Sequence, residues 1–331
     1  MFKKALSSIK GGGKTLKTHT LEFERPLVNL LGQINELEST TSGECNDIID
    51  RLKKEFNDLK DRIYSNLEPA QRIQIARHPD RPYTLDIVKG MGENWIELHG
   101  DRCGNDDGAI VGGLLQVRED LVVMVVGNEK GRGIKEKQKR NFGMPQPSGY
   151  AKALRLFKHA ERFNLPIITF IDTPGAYPGL EAEANGQSRA IAYNIQEMFD
   201  LTVPIISIIT GEGGSGGALA IAVANRVMML EHSVYSVISP EGCAAILWRT
   251  RDKSAVAAKA LKITAGELIR LGLIDEIIPE PPGGAHEDPQ ETINGIKKSI
   301  LSSLDTLTKL PKEELKKQRL DKFRSFGEFL E

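Results

Sequence analysis

The apolar run VPIISIIT at 203–210 passes directly into GEGGSGG at 211–217, five glycines in seven positions. Glycine this dense at a strand-to-helix junction means that the backbone takes positive φ there, or that something approaches too closely to admit a Cβ. A chain with this feature needs a buried strand that ends in a tight turn beneath a ligand or a neighbouring backbone. The spacing fits three chemical templates. As a dinucleotide fingerprint, Gly211, Gly213 and Gly216 satisfy G-x-G-x-x-G, and Glu231 stands at the end of the next strand, though the intervening helix is short for such a unit. As a nucleophile elbow, Gly213–Gly217 satisfies G-x-S-x-G around Ser215, with His232 or His286 as the only bases in the required chain order. As an oxyanion hole, a helix opening at Gly216-Gly217 presents unpaired N–H groups and the positive end of its dipole. A second glycine turn, DTPGAYPG at 172–179, follows the preceding apolar strand. If those strands are parallel, both turns fall at one sheet edge and supply the two donors such a site requires.

The rest of the chain reads as α/β. Strands are expected at Leu121–Val126, Pro166–Ile171, Val203–Thr210, Arg226–Leu230 and Val234–Ile238. Helices are expected at Ser148–Phe163, Glu183–Asp200, Gly216–Ala224, Glu241–Trp248 and Thr264–Leu271. Continuous apolar strands alternating with helices predict a sheet covered on both faces. Upstream, Ile49, Leu52, Phe56, Leu59 and Ile63 form one helical stripe and Leu27, Leu30, Leu31, Ile34 and Leu37 another. The polar STTSGECND between them predicts an antiparallel hairpin, packed on its own domain or used as an arm between subunits. The expected organisation is a flexible basic lead at 1–20, a helical hairpin at 21–76, a main domain at 77–290 and a helical tail at 291–331. RHPDRPYTLDIV reads as a Pro-punctuated linker, and the Lys/Glu-rich tail as a solvated helix.

A formal net charge of −1 gives no global attraction to nucleic acid or anionic membrane. Cys45, Cys103 and Cys243 are odd in number and lie far apart, which argues against a disulfide framework or zinc ribbon and suits a reducing compartment. His78, His99 and His159 lack metal-ligand spacing. No apolar run approaches the roughly 20 residues that span a bilayer, so a soluble protein is expected. The basic segment EKGRGIKEKQKR at 129–140 holds six Lys/Arg against two Glu. It reads as a solvated loop or as a patch that attracts anionic phosphates or an acidic carrier.

Several blocks carry a family resemblance: NFGMPQPSGYAKALRL, AERFNLPIITFIDTPGAYPG, GEGGSGGALAIAVANRVMMLEHSVYSVISPEGCAAILW and IIPEPPGGAHEDP. Together with RHPDRPYTLD, they resemble the carboxyltransferase α-subunit family of the multisubunit acetyl-CoA carboxylases of bacteria and plastids, across roughly Leu21 to Pro289. The resemblance implies a crotonase-like (ClpP/crotonase) spiral of ββα units with an N-terminal helical extension. It also implies a cytoplasmic or plastid-stromal enzyme of fatty acid biosynthesis that moves a carboxyl group from carboxybiotin to acetyl-CoA, giving malonyl-CoA. The implied partners are a homologous β subunit in an α2β2 assembly, the biotin carboxyl carrier protein and biotin carboxylase. No cofactor is expected on this chain, with zinc confined to the β subunit. By the same resemblance, Gly216 and Gly217 stabilise the charge that develops on the biotin ureido oxygen, and the Gly175-Ala176 turn supplies a second donor. Gly213, Gly214, Tyr177, Lys130 and Arg132 are the expected substrate contacts. The family more often has His-Gln where this chain has Asn128-Glu129. A non-catalytic CoA-binding scaffold and a serine hydrolase using Ser215 remain alternatives.

Overall fold

A computed structural model describes residues 19–40 and 46–327. The expected basic lead up to residue 18 and Cys45 lie outside the described residues. The chain divides into two compact units at Leu67/Glu68. In the first, α1 (Arg25–Thr40) and α2 (Asn46–Ser65) form the predicted hairpin. Leu27, Ile34 and Ile49 are buried along its seam, and Lys53 pairs with Glu38 at 2.8 Å. The helix α3 (Pro69–Ala76), expected within the hairpin, belongs to the second unit.

The second unit is built on an eight-stranded mixed sheet. After α4 (Thr84–Met91) come β1 (Glu93–Glu97), β2 (Ile110–Arg118) and β3 (Leu121–Asn128), followed by α5 (Gly133–Lys139) and α6 (Pro147–Arg162). Next are β4 (Ile167–Thr173), α7 (Leu180–Ala184), α8 (Gln187–Asp200), β5 (Ile205–Gly214) and α9 (Ser215–Leu219). The chain continues through β6 (Arg226–Leu230), β7 (Val234–Ser236), α10 (Pro240–Trp248), α11 (Ser254–Ala260), α12 (Ala265–Arg270) and β8 (Glu276–Ile278), and closes with α13 (Pro289–Leu307) and α14 (Lys312–Arg324). The sheet order is β1-β2-β3-β4-β5-β6-β8, with β7 on the extended end of β5. β1 to β3 are antiparallel, and every pairing from β3 onward is parallel.

Period-two alternation sorts the strand residues onto two cores. Ile167, Ile171, Ile205 and Ile209 meet Leu156 and Phe157 of α6 and Met198 of α8. Ile168, Phe170, Ile206 and Ile208 share the opposite core with Ile87 and Val88 of α4 and Ile296 and Ile300 of α13. Both faces of the sheet are therefore covered, as the continuous apolar strands predict.

Three expectations give way. The 77–88 segment is no simple linker: Arg81 is buried, and α4 begins at Thr84 and places Ile87 and Val88 in the core. The tail is not a solvated helix. Asp288 caps α13 by accepting from the Glu291 N–H at 2.8 Å, and Ile293, Ile296, Ile300, Leu304 and Leu307 are buried. In α14, the buried Arg319 donates to the carbonyls of Leu201 at 2.9 Å and Val203 at 3.0 Å. The predicted Glu183–Asp200 helix is two, because Gly186 at φ 80° breaks it. Ile300→Ala is expected to cost about 3 kcal/mol, read as a lower denaturant midpoint, because the cavity would open in the core that α13 shares with one face of the sheet.

Candidate functional site

β4 and β5 are parallel, so their glycine turns emerge at the same sheet edge. The pairing runs in step from Ile167↔Ile205 to Ile171↔Ile209 and then shifts to Thr173↔Gly213, so β5 bulges outward after Ile209. The two turns meet beyond the bulge. A Cβ on Gly217 would lie 2.3 Å from the Ala176 nitrogen and 2.5 Å from the Gly175 carbonyl carbon, and one on Gly214 would lie 2.2 Å from the Pro174 oxygen. Both are far inside van der Waals contact, so the glycines exist to let one backbone lie against the other.

Each turn is locked locally. Thr173 Oγ1 accepts from the Gly175 N–H at 3.1 Å and donates to the Gly175 carbonyl at 2.7 Å. The Tyr177 N–H donates to the Pro145 carbonyl at 2.9 Å, and Gln187 Nε2 donates to the carbonyls of Pro145 and Tyr177. Gly175, at φ 149°, therefore spends its amide inside its own turn, and the donor left in the second turn is the Ala176 N–H. Opposite, Gly216 and Gly217 stand in the first turn of α9, where amides have no acceptor within the helix, and the N-cap Gly214 has no side chain to cap them. Tyr150 Oη donates to the Gly217 carbonyl at 3.2 Å. Burial and the nearby Asp107 push its phenol well above the usual range, so it remains a neutral donor. α9 has only five residues instead of the expected Gly216–Ala224, so the site rests on local amides more than on a macrodipole.

Beneath the turns lies a charged layer. Lys130 Nζ is 2.6 Å from Asp172 Oδ1 and 3.4 Å from Glu212 Oε2, its side chain 14% exposed. Burial alone would lower its pKa, but the two carboxylates raise it above the ordinary value. Arg77 Nε binds Glu212 Oε1 at 2.7 Å, and its Nη1 binds Glu241 Oε1 at 2.6 Å. Arg77, Glu212, Gly213, Gly214 and Pro174 line a small cleft beside the turns. Below them, Arg81 forms a two-point pair with Glu280, both distances 2.7 Å, and donates to the Thr210 carbonyl at 2.8 Å, at the foot of the GEGGSGG turn.

Of the sequence-predicted contacts, the structure brings together Gly213, Gly214, Gly216, Gly217, Gly175, Ala176 and Tyr177. The other two, Lys130 and Arg132, have partners within the chain. Lys130 is consumed by the buried ion pairs. Arg132 Nη2 pairs with Asp86 Oδ2 at 2.6 Å, its Nη1 donates to the Pro79 carbonyl at 2.9 Å, and the guanidinium stacks over Tyr83. The 129–140 segment is accordingly no simple solvated loop: it contains α5, and three of its cations, Lys130, Arg132 and Arg140, are committed internally. Asn128 and Glu129, where the family pattern differs, are buried, with Glu129 accepting from the Leu85 N–H at 2.9 Å.

The geometry also weighs the other templates. Gly213 is covered by the Tyr235 ring and Gly214 by Pro174, where a dinucleotide fingerprint needs open backbone. Glu231 accepts from the Glu280 N–H at 3.2 Å. Ser215 is exposed at φ 56°, but His232 lies 2.9 Å from Arg72 Nη1 and His286 stacks on His78 at 3.7 Å, so both candidate bases are engaged elsewhere. Sequence reasoning missed Thr173, Tyr150, Asp172, Arg77 and Arg81. The one available signal was two arginines within a Pro-rich stretch.

Residues 20–327 match the family described as "Acetyl co-enzyme A carboxylase carboxyltransferase-like". The chain is 50% identical over 315 residues to the acetyl-coenzyme A carboxylase carboxyl transferase subunit alpha of Trichodesmium erythraeum, covering 94% of this chain and 97% of the relative. It is 52% identical over 320 residues to the protein of that name from Synechococcus elongatus, covering 96% and 98%. Among solved structures, transcarboxylase 12S aligns with a TM-score of 0.56 at 19% identity, covering 69% of this chain and 42% of that one. The β subunit of P. aeruginosa geranyl-CoA carboxylase aligns at 0.55 and 18% identity, covering 75% and 46%. This chain thus spans less than half of either solved chain, and at such identity the likeness speaks for the shared crotonase-like α/β fold. Among the described residues no helix is long and apolar enough to cross a membrane.

Proposed function

The chain belongs to the acetyl-CoA carboxylase carboxyltransferase family, and from that premise we propose that it is the α subunit that transfers a carboxyl group from carboxybiotin to acetyl-CoA. The observation that carries the reading is the mutual contact of the two glycine turns, which leaves the Ala176 amide and those of Gly216 and Gly217 at one sheet edge. Carboxybiotin supplies an activated carboxyl group whose departure places negative charge on the ureido oxygen. The chain's amides hold that charge without a formal cation and without reorganisation during the reaction. No side-chain acid or base of this chain is required, because N1 of biotin keeps the bonding pair when the carboxyl group leaves and can receive the proton lost from the acetyl methyl; Ser215 serves as a turn residue.

The reading includes a homologous β subunit as the partner that binds the thioester, with the biotin presented by a carrier protein and no cofactor resident on this chain. An exposed apolar face supports a partner: Val237, Ile246 and Leu247 are 78%, 72% and 64% exposed, beside the Ser239-Pro240 edge of the cleft. The cytoplasm or plastid stroma is the compartment in which such an assembly works.

The test is reconstitution with the homologous β chain, a carboxybiotin donor and acetyl-CoA, with malonyl-CoA as the product measured. Formation that depends on both chains supports the reading, and a lack of turnover despite a stable assembly favours a non-catalytic scaffold. Ser215→Ala in that assembly is expected to retain most of the rate and the wild type to resist fluorophosphonate labelling. Loss of activity together with labelling of Ser215 would restore the hydrolase alternative. Because Ser215 occupies the left-handed region, Ser215→Gly should stabilise the fold by about 1 kcal/mol.

A further inference from the structure

We propose that Lys130 is a positioning residue that sets the spacing of the two glycine turns by neutralising a carboxylate wedged into the bulge between β4 and β5. The wedge is Asp172. Its Oδ1 accepts from the Glu212 N–H at 2.9 Å, and a Cβ on Gly211 would lie 2.3 Å from that same oxygen. The absence of a side chain at 211 is therefore what admits the carboxylate to the bulge. Asp172 is also held from behind, its N–H donating to Asn128 Oδ1 at 3.3 Å. It is the residue immediately before Thr173, which locks the Gly175 turn, and Glu212 immediately precedes Gly213-Gly214. One side chain thus fixes how far the end of β5 stands from the end of β4.

A carboxylate buried there is stable only with a counter-charge. Lys130 supplies it and bridges Asp172 to Glu212, two like charges from the two strands whose separation defines the site. Its stem is roofed by Gly143 at φ 78°, where a Cβ would lie 2.6 Å from Lys130 Cγ. The position of the ammonium is therefore built by three segments of chain. The kinetic part of this inference rests on the carboxyl-transfer reading, and the structural part does not.

The test is made on the α–β assembly with Lys130→Met, Asp172→Asn and the double variant. In Lys130→Met, amide exchange in peptides covering 173–179 and 211–219 should accelerate about tenfold, while peptides from α13 stay unchanged. Carboxyl transfer should lose about a hundredfold in kcat with KM for acetyl-CoA little changed, since displaced donors act on the transition state. Adding Asp172→Asn removes the stranded charge, and the double variant should recover about tenfold relative to Lys130→Met alone. Relief of a stranded charge would also restore stability, so the mark of positioning is the loss in kcat with KM unchanged, together with exchange that quickens only in the two turns. Unchanged exchange in the turns, a KM effect with kcat intact, or no recovery in the double variant overturns the proposal. If Lys130→Met fails to fold, Asp172→Asn alone, which removes the wedged carboxylate that Lys130 holds, carries the same measurements: faster exchange in the two turns and a fall in kcat sustain the proposal, and wild-type behaviour overturns it. If the wild-type assembly itself shows no transfer, the functional reading falls, and the exchange measurement still decides the spacing.

Discussion

Gly217→Ala is expected to lower the rate of carboxyl transfer by about a thousandfold while the sheet remains folded. A single methyl at 217 would sit 2.3 Å from the Ala176 nitrogen, and real carbon–nitrogen contacts do not approach so closely. The atoms it meets are main chain, so no rotamer change relieves the clash. The turns must separate, and the donors on either side move apart together. Overpacking of this kind costs about 1–3 kcal/mol of stability, which a sheet buried on both faces can absorb. The expected signature is a fall in kcat with little change in KM and a melting temperature lowered by a few degrees. Gly216 offers an internal control, because a Cβ there meets nothing closer than Ile191 Cγ2 at 3.5 Å. Gly216→Ala should therefore be much milder, and equal effects at the two positions would refute the steric account.

The largest stability effect is expected at Arg81. The guanidinium is 2% exposed and makes both ends of a two-point pair with the fully buried Glu280 side chain. Arg81→Leu strands that carboxylate and should cost about 3–5 kcal/mol, measured by urea unfolding. Arg81→Leu with Glu280→Gln should be less unstable than Arg81→Leu alone, because no buried charge is then left over. Burial alone would raise the Glu280 carboxyl, but Arg81 and the His232 and Ala285 N–H groups override it and hold its pKa at about 2. The folded-state pKa is depressed, so this contribution is present above the unfolded value of roughly 4.3 and is lost as the pH falls from there through about 2. Wild-type stability should fall across that acid window, and the double variant should fall less steeply. Because Arg81 also donates to the Thr210 carbonyl, the variant should loosen the foot of the glycine turn before the core unfolds.

The parts legible in the sequence were those governed by local pattern. β3, β4, β5 and β6 are continuous apolar runs, and the glycine turns after β4 and β5 announce themselves by composition. β2 is absent from the strands expected from the sequence, because Gly112 and Gly113 interrupt its apolar pattern. A Cβ on Gly112 would strike Leu156 of α6 at 2.4 Å, and one on Gly113 the Ile96 carbonyl oxygen at 2.1 Å, so these glycines serve close packing inside a strand. Such a role depends on elements more than ten residues away and leaves no local trace. The same holds for the charged layer. Lys130 in a run of basic residues looks like a solvated cation until the fold brings Asp172 and Glu212 beside it, and Arg77 and Arg81 look like linker residues until Glu241 and Glu280 arrive from over a hundred residues downstream. The tail misled for a related reason: its average is polar, while a single stripe from Ile293 to Leu307 is buried.

The claim beneath all of this is that main-chain amides of the two touching turns receive the charge developing on the ureido oxygen. The most direct measurement is a crystal structure of the α–β assembly with biotin bound. The account predicts the ureido oxygen about 3 Å from the Ala176 nitrogen and from the nitrogen of Gly216 or Gly217. A ureido oxygen held by side chains or by the companion chain, with those amides facing elsewhere, would contradict it.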